Sequence, residues 1–305
     1  MNQPKVTVVI PSYNHGKYLQ EAIDSVENSG FKDYEIIIVD DGSKDETSRK
    51  IAEQFKNKGY NVVLQENKGV AASRNNAIKI AKGEFIIPLD ADNRLLKPYF
   101  FEGLKILLEN PEIGVVYGDA QVIGEKSGTW VNHPMQLEQI IFENYIDNCT
   151  ILRKSAWESI GGYDENAPFH TREDWYFWLG LIGKGWKFFH LNEFCFEYRF
   201  LENSKVRTRF SNPKNRLIIY SYIYPLQEKL AWQYKNTPGL SEQQANFIVG
   251  KLRMQLAYYH LGFGNIFEGY KWLFQSIIGK NGISNILKTG LGWPIRRFKI
   301  AFKQA

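Results

Sequence analysis

Phe85-Ile86-Ile87-Pro88-Leu89-Asp90-Ala91-Asp92-Asn93 joins an apolar run, long enough for one buried strand, to two carboxylates one residue apart. At the end of an extended strand, residues i and i+2 point the same way, so Asp90 and Asp92 can face one site. Two hard oxygen ligands on one side, with open positions opposite, suit Mg²⁺ or Mn²⁺ carrying a substrate phosphate. A plain polar turn is the competing reading, with Asp92 or Asn93 capping a helix that begins near Leu95. Alone, the pair supports both readings equally, and the rest of the chain has to decide.

Working outward, residues 5–118 alternate between short apolar runs and amphipathic stretches. Strands are expected at 5–10, 35–39, 61–65, 85–89 and 114–118, and helices at 17–29, 44–58, 70–82 and 96–109. Fully apolar strands alternating with helices imply repeated βαβ units and a mostly parallel sheet covered on both faces. Ligands bind such sheets at the carboxyl ends of the strands. Each expected strand is followed by a polar loop there: Pro11-Ser12-Tyr13-Asn14-His15, Asp40-Asp41-Gly42-Ser43, Asn67-Lys68-Gly69, the Asp90/Asp92 pair and Tyr117-Gly118-Asp119. Five such loops in succession read as one continuous site. No G-x-G-x-x-G and no G-x-x-x-x-G-K-[ST] occurs, which argues against a dinucleotide fold or a P-loop and leaves a metal as the phosphate clamp.

Composition bounds the rest. With 305 residues, 44% hydrophobic and 23% charged, the chain is an ordinary globular protein with one large domain or two moderate ones. No apolar run approaches the ~18 residues needed to span a bilayer, and the N-terminus enters a strand without a signal-peptide layout, so a cytoplasmic location is expected. Cys149 and Cys195 stand far apart in apolar surroundings and read as buried thiols. Charge is split: residues 205–305 hold 16 Lys and Arg against 3 Asp and Glu, net +13, while residues 1–204 hold 22 against 30, net −8. We therefore expect two regions, 1–204 and 205–305, with an anionic partner for the second.

Pro11-Ser12-Tyr13-Asn14, Ile38-Val39-Asp40-Asp41-Gly42-Ser43, Asn67-Lys68-Gly69 with Arg74-Asn75, and Asp90-Ala91-Asp92 together resemble the family 2 glycosyltransferases of GT-A fold. The resemblance implies inverting transfer of a sugar from a nucleotide-diphosphate donor, usually a UDP-sugar, with Mn²⁺ or Mg²⁺. It implies that Pro11 and Tyr13 line the base pocket and that Asp40 accepts a hydrogen bond from the base. Arg74 would sit over the base or near the diphosphate. Asp90 would reach the ribose or a metal-bound water, and Asp92 would ligate the metal. Asp41-Gly42-Ser43 also reads as a turn with a helix cap, and Arg74 as a solvated helix residue.

Further on, Gly162-Tyr163-Asp164-Glu165 precedes Arg172-Glu173-Asp174-Trp175, and apolar positions 175, 178, 179 and 182 have helical spacing. Acids at a helix start complement its dipole, but the two motifs together are similar to the acceptor side of the same family. That similarity implies Asp174 as general base, with Glu173 second. Direct displacement requires a base opposite the leaving diphosphate, and at a helix N-terminus we expect a fully ionised, weak one. Asp119, Trp175 and Arg199 are candidate acceptor or sugar contacts, Trp175 equally a core residue. Many relatives place a His between the Arg and Ser of the loop after 199, and here it is missing. Strands are expected at 186–191 and 194–200, a hairpin turn at 124–128, and no roles are assignable within 120–145.

The basic region reads as helices, with a hairpin of 245–259 and 266–278 broken at Gly262-Phe263-Gly264-Asn265. Ile283 to Phe302 carries apolar residues at 283, 286, 287, 291, 295, 298 and 302, accompanied by Lys288, Arg296, Arg297, Lys299 and Lys303, as in an amphipathic helix on an anionic membrane surface or a helix packed on the catalytic domain. No nucleic-acid motif accompanies the charge, so no nucleic-acid partner is expected. A saccharide or lipid-linked acceptor at the cytoplasmic leaflet fits the membrane reading. A sugar nucleotidyltransferase would need a Gly-rich loop after the first strand, which Pro11-Ser12-Tyr13-Asn14 is not. A nucleotide-sugar-binding scaffold would have little use for both Asp92 and Asp174.

Overall fold

The computed structural model describes residues 4–202, 204, 208–209 and 211–278. The chain divides into two compact units, Met1–Met135 with Tyr145–Arg207, and Gln136–Asn144 with Thr208–Ala305. Residues 136–144 thus belong with the C-terminal region in this division, although they interrupt the first unit in sequence.

The first unit alternates as its apolar runs dictate: β1 Val6–Ser12, α1 Gly16–Glu27, β2 Tyr34–Asp40, α2 Glu46–Asn57, β3 Asn61–Leu64, α3 Val70–Ile80 and β4 Phe85–Pro88. β1 and β4 are buried at every position, as strands covered on both faces must be. α1 buries Leu19, Ala22, Ile23 and Val26, one stripe at helical spacing, against this sheet. α2 starts at Asp45, whose carboxylate accepts from the Ser48 amide at 2.7 Å.

β5 Arg94–Leu95, α4 Glu102–Glu109, β6 Ile113–Gly124, β7 Gly128–Trp130, β8 Ile151–Arg153, α6 Lys154–Ser159, α7 Glu173–Gly183 and β9 Lys187–Phe200 complete the unit, with α5 Leu137–Phe142 assigned to the second. One sheet runs in the order β3-β2-β1-β4-β8-β6-β9-β5, with β7 paired to β6. β1 is parallel to β2 and β4, β2 to β3 and β6 to β9, while β8 is antiparallel to both its neighbours. The expected turn at 124–128 is the β6–β7 hairpin.

Three local expectations change. The fifth strand does not stop at 118 but continues to Gly124, so Asp119 lies within it. The strands expected at 186–191 and 194–200 are one strand: β6 pairs Gly118 with Leu191 and Asp119 with Phe194, so Asn192 and Glu193 bulge out and pairing resumes beyond them. No helix starts near Leu95. Asn93 instead accepts from the Arg199 amide, residues 94–95 form β5, and the helical segment opens with a 3-10 turn at Lys97–Tyr99.

The second unit contains α5 and three longer helices, α8 Pro213–Gln233, α9 Glu242–Gly262 and α10 Ile266–Ile278. Ser241 and Gln244 form a reciprocal capping box at the start of α9. Among the described residues no helix is long and apolar enough to cross a membrane. The segment Ile283 to Phe302, expected to be a basic amphipathic helix, lies outside the described residues.

Candidate active site

Parallel pairing aligns the carboxyl ends of β2, β1 and β4, with Ser12 opposite Asp40 and Val9 opposite Pro88. Their loops lock together. Asn14, at φ 58°, accepts from the Lys44 amide at 2.7 Å, and its own amide donates to Ser43 Oγ at 2.9 Å. Pro11 is buried in β1 and Tyr13 half-buried just beyond it. Asp40 accepts from Ser43 Oγ at 2.5 Å and from its amide at 3.2 Å. Asp41 is more than a turn residue. It accepts from the Lys68 and Gly69 amides at 2.9 Å each and so caps α3 rather than the helix that follows it in sequence. Gly69 has φ +92°, and a Cβ there would lie 2.3 Å from His170 Nδ1, so only glycine permits this approach.

Arg74 is the hub. It is 2% exposed on α3, with Nη2 2.7 Å from Asp90 Oδ1 and Nη1 2.7 Å from Glu173 Oε1. With its amide oxygen turned toward Arg74, Asn148 accepts from Nε at 3.1 Å and Nη2 at 3.3 Å and donates to Tyr163 Oη at 2.9 Å. Burial pulls the guanidinium toward losing its proton, but Asp90 and Glu173 more than offset this and hold it charged. Arg74 was expected over the base or near the diphosphate, and its observed partners are protein carboxylates. Each terminal nitrogen holds one protein carboxylate, which joins the two halves of the site across 99 residues of sequence. The neighbouring Asn75 binds the backbone of Tyr163 through both ends of its amide, at 2.8 and 2.9 Å.

Asp92 leans into the same region with its side chain 18% exposed and Oδ2 3.4 Å from His15 Nδ1. Burial pushes its carboxyl above the usual range. His15 opposes that shift and Asp90 adds to it. Arg199 braces the turn from behind: Nε donates to the Asp92 carbonyl at 2.8 Å, its amide donates to Asn93 Oδ1 at 2.9 Å, and Nη2 meets Glu21 at 2.6 Å. Arg199 was expected at the sugar or acceptor, and its observed hydrogen bonds are to protein. Among the described residues no three of His, Cys, Asp and Glu form a preformed cage for a metal ion. The donors still fit one. Mg²⁺ and Mn²⁺ take one or two carboxylates and leave other positions to phosphate oxygens and water, and Asp92 and Asp90 are crowded like charges that a cation would relieve.

On the acceptor side Glu173 and Asp174 open α7. Three non-glycine residues just before them, Phe169, His170 and Arg172, have φ of 59°, 49° and 63°. Such left-handed residues each cost about 1–2 kcal/mol and cluster where a site dictates backbone shape. The Asp174 carboxylate accepts from the Trp175 amide at 2.7 Å. Burial, opposed by Arg172, raises its pKa above the ordinary carboxylate value, which makes it a stronger base than a solvated carboxylate. Glu173 is also raised by burial, against the pull of Arg74.

Two other candidates are buried. Trp175 is 2% exposed and belongs to the core. Asp119, 5% exposed within β6, meets His190 Nε2 at 2.9 Å and the Asn132 amide at 2.8 Å, both through Oδ1.

Sequence reasoning missed His15, Asn148 and Asp147. Burial, then Asp90, push Asp147 up to about 7. The folded protein thus holds this proton to about pH 7, whereas an unfolded Asp releases it near 3.8. Between those values folding takes up a proton, so Asp147 lowers stability progressively as pH rises through the window. Asp147→Asn, in buffer with chelator, is expected to change stability little at pH 4 and to raise it by about 1–3 kcal/mol at pH 8. Urea melts at the two pH values check this; an equal gain at both would mean that the carboxylate's burial is not the cause.

Comparison with known proteins agrees with this geometry. Residues 7–170, just over half of the chain, match the family model described as Glycosyl transferase family 2. The chain is 26% identical over 259 residues to the Escherichia coli UDP-Glc:alpha-D-GlcNAc-diphosphoundecaprenol beta-1,3-glucosyltransferase WfgD, covering 77% of this chain and 99% of the relative. Its fold resembles S. aureus TarS in complex with UDP-GlcNAc, with a TM-score of 0.60 and 20% identity over 90% of this chain and 80% of that one. It also resembles the mannosyltransferase PcManGT from Pyrobaculum calidifontis in complex with GDP-Man and Mn²⁺, with a TM-score of 0.58 and 18% identity over 99% of this chain and 84% of that one. With a mixed α/β sheet of GT-A type and its carboxylates gathered at the strand ends, the chain belongs to glycosyl transferase family 2.

Proposed function

We propose that this chain moves a sugar from a nucleoside-diphosphate donor, a UDP-sugar, to a hydroxyl of a saccharide or lipid-linked acceptor with inversion, in the synthesis of a cell-surface polysaccharide. The observation that carries the reading is the Arg74 bridge, which holds the donor-side Asp90 and the acceptor-side Glu173 at 2.7 Å each, with Asp174 next in sequence to Glu173. The donor and acceptor named for the WfgD relative, and the UDP-GlcNAc bound by TarS, support these substrate classes. A lipid-linked acceptor would put the protein at the cytoplasmic face of a membrane.

In this reading Pro11, Tyr13 and Asp40 receive the base, the aromatic ring by stacking and the carboxylate by accepting its N–H. Asp90 and Asp92 would hold Mg²⁺ or Mn²⁺, an ion that offsets charge on the departing diphosphate. Asp174 takes the proton of the acceptor hydroxyl as that oxygen bonds to the anomeric carbon and the bond from that carbon to the diphosphate oxygen breaks. One displacement inverts the carbon and needs no covalent intermediate. Burial of Asp174 makes it a better proton acceptor than a solvated carboxylate. Arg74 and Arg199 move no proton; they fix the carboxylates in place.

Calorimetric titration of UDP and GDP with and without Mn²⁺, on the wild type and Asp92→Asn, tests this reading. UDP is expected to bind with Mn²⁺, and the variant to lose about tenfold or more in affinity. If neither nucleotide binds under any condition, the transferase reading fails at its donor site.

A further inference from the structure

Among the described residues, the second unit leaves one helix face uncovered. On one flank α10 packs inward: Gly269 is so close to α9 that a Cβ would lie 2.5 Å from Leu261, and Ser276 is buried. The Trp272 ring meets Tyr224 edge-on at 5.0 Å. The other flank carries Ile266, Phe267, Tyr270 and Phe274, exposed by 62, 81, 61 and 63%. At 100° per residue these four fall within an arc of about 100°, so they form one stripe rather than scattered surface apolars. Phe267 is the most exposed large apolar side chain among the described residues. Single exposed apolar residues need no explanation, but a contiguous stripe marks an interface.

Charge identifies the partner. From Gly269 to Ala305 the sequence has seven Lys and Arg and no Asp or Glu. Aromatic rings on a helix flank, followed in sequence by a basic run from Lys280 to Lys303, match the headgroup layer of an anionic bilayer, where rings enter the acyl boundary and cations stay among phosphates; on α10 itself Lys271 pairs with Glu268 at 3.1 Å. We propose that α10 lies along an anionic phospholipid surface with Ile266, Phe267, Tyr270 and Phe274 buried in it. This deepens the membrane-side reading above and rests on it, since a docked enzyme would meet a lipid-linked acceptor where that acceptor resides.

The test is sedimentation of the full chain with vesicles of phosphatidylcholine alone or mixed with phosphatidylglycerol. The wild type is expected to sediment with the anionic vesicles, less so at high salt. Phe267→Ser/Phe274→Ser should weaken this about tenfold or more with an unchanged melting temperature, and Phe267→Trp/Phe274→Trp should retain it. The proposal is overturned if the wild type ignores anionic vesicles, or if the serine variant binds them as well as the wild type does. It is equally overturned if the stripe instead mediates a dimer that only the serine variant dissolves. UDP binding, measured on the same samples, separates the two readings: vesicle binding lost with UDP binding intact defeats only the docking surface.

Discussion

Asp174→Asn is expected to lower the rate of sugar transfer by about 10³-fold, within the range that loss of a general base produces, while nucleotide affinity stays within about twofold. The amide keeps the shape of the side chain and cannot take the acceptor proton. The pH profile supplies a second signature. A base works only when deprotonated, so the wild-type rate should fall about tenfold per unit below the pKa of Asp174. Because burial raises that pKa, the acidic limb should lie above the ordinary carboxylate range. Initial rates across pH, together with calorimetry on the same variant, check both expectations. A rate that survives Asp174→Asn but collapses in Glu173→Gln, with the fold intact in both, would transfer the role to Glu173. Because Glu173 also anchors Arg74, its variant should lose stability as well as rate, which keeps the two outcomes apart.

How much of this was legible in the sequence depends on whether a feature is local. The strand ending at Pro88 and the carboxylates after it follow from an apolar run with polar groups at its end, a pattern that only near neighbours determine. The same holds for the alternation through β1 to β4, where each strand carries a short apolar run. It fails at β9, because a two-residue bulge looks like a break in the pattern while pairing with β6 carries across it. It fails at Asp119 too, since an acid inside a strand reads as a strand end until His190, 71 residues later, accounts for its burial. Arg74 is the sharpest case. Its helical spacing suggests a solvated residue and its motif suggests a ligand contact, yet its partners lie 16 and 99 residues away. Asp147 carried no usable signal, because its shift comes from burial beside other acids, and His15 was legible only as a member of the first site loop, its partner Asp92 lying 77 residues on. Of the acids singled out in the sequence, Asp90, Asp92, Glu173 and Asp174 do gather in one unit.

That dependence on Arg74 gives the largest expected effect on stability. Its side chain is 3% exposed and its two ion pairs are the short contacts that hold Asp90 and Glu173 within a cluster that also contains Asp147 and Asp174. Removing one partner of a buried pair costs about 3–5 kcal/mol, because the charge left behind stays buried without compensation. Arg74→Met should cost about that much at pH 8, with the Glu173 contact contributing most, since the Asp90 side chain is 36% exposed and partly screened by water. Arg74→Lys should recover little, because one ammonium cannot span two carboxylates as a planar fork does. Lowering the pH should shrink the defect: burial raises Glu173, so once orphaned it takes up a proton as the pH falls and its share of the penalty fades toward pH 5. Arg74→Met/Glu173→Gln should be more stable than Arg74→Met alone, since it removes the stranded charge with its partner. Urea and thermal melts of the four proteins at pH 8 and 5 measure this. A loss below about 1 kcal/mol for Arg74→Met, or one that does not change with pH, would mean that the carboxylate cluster is held together by something other than this arginine.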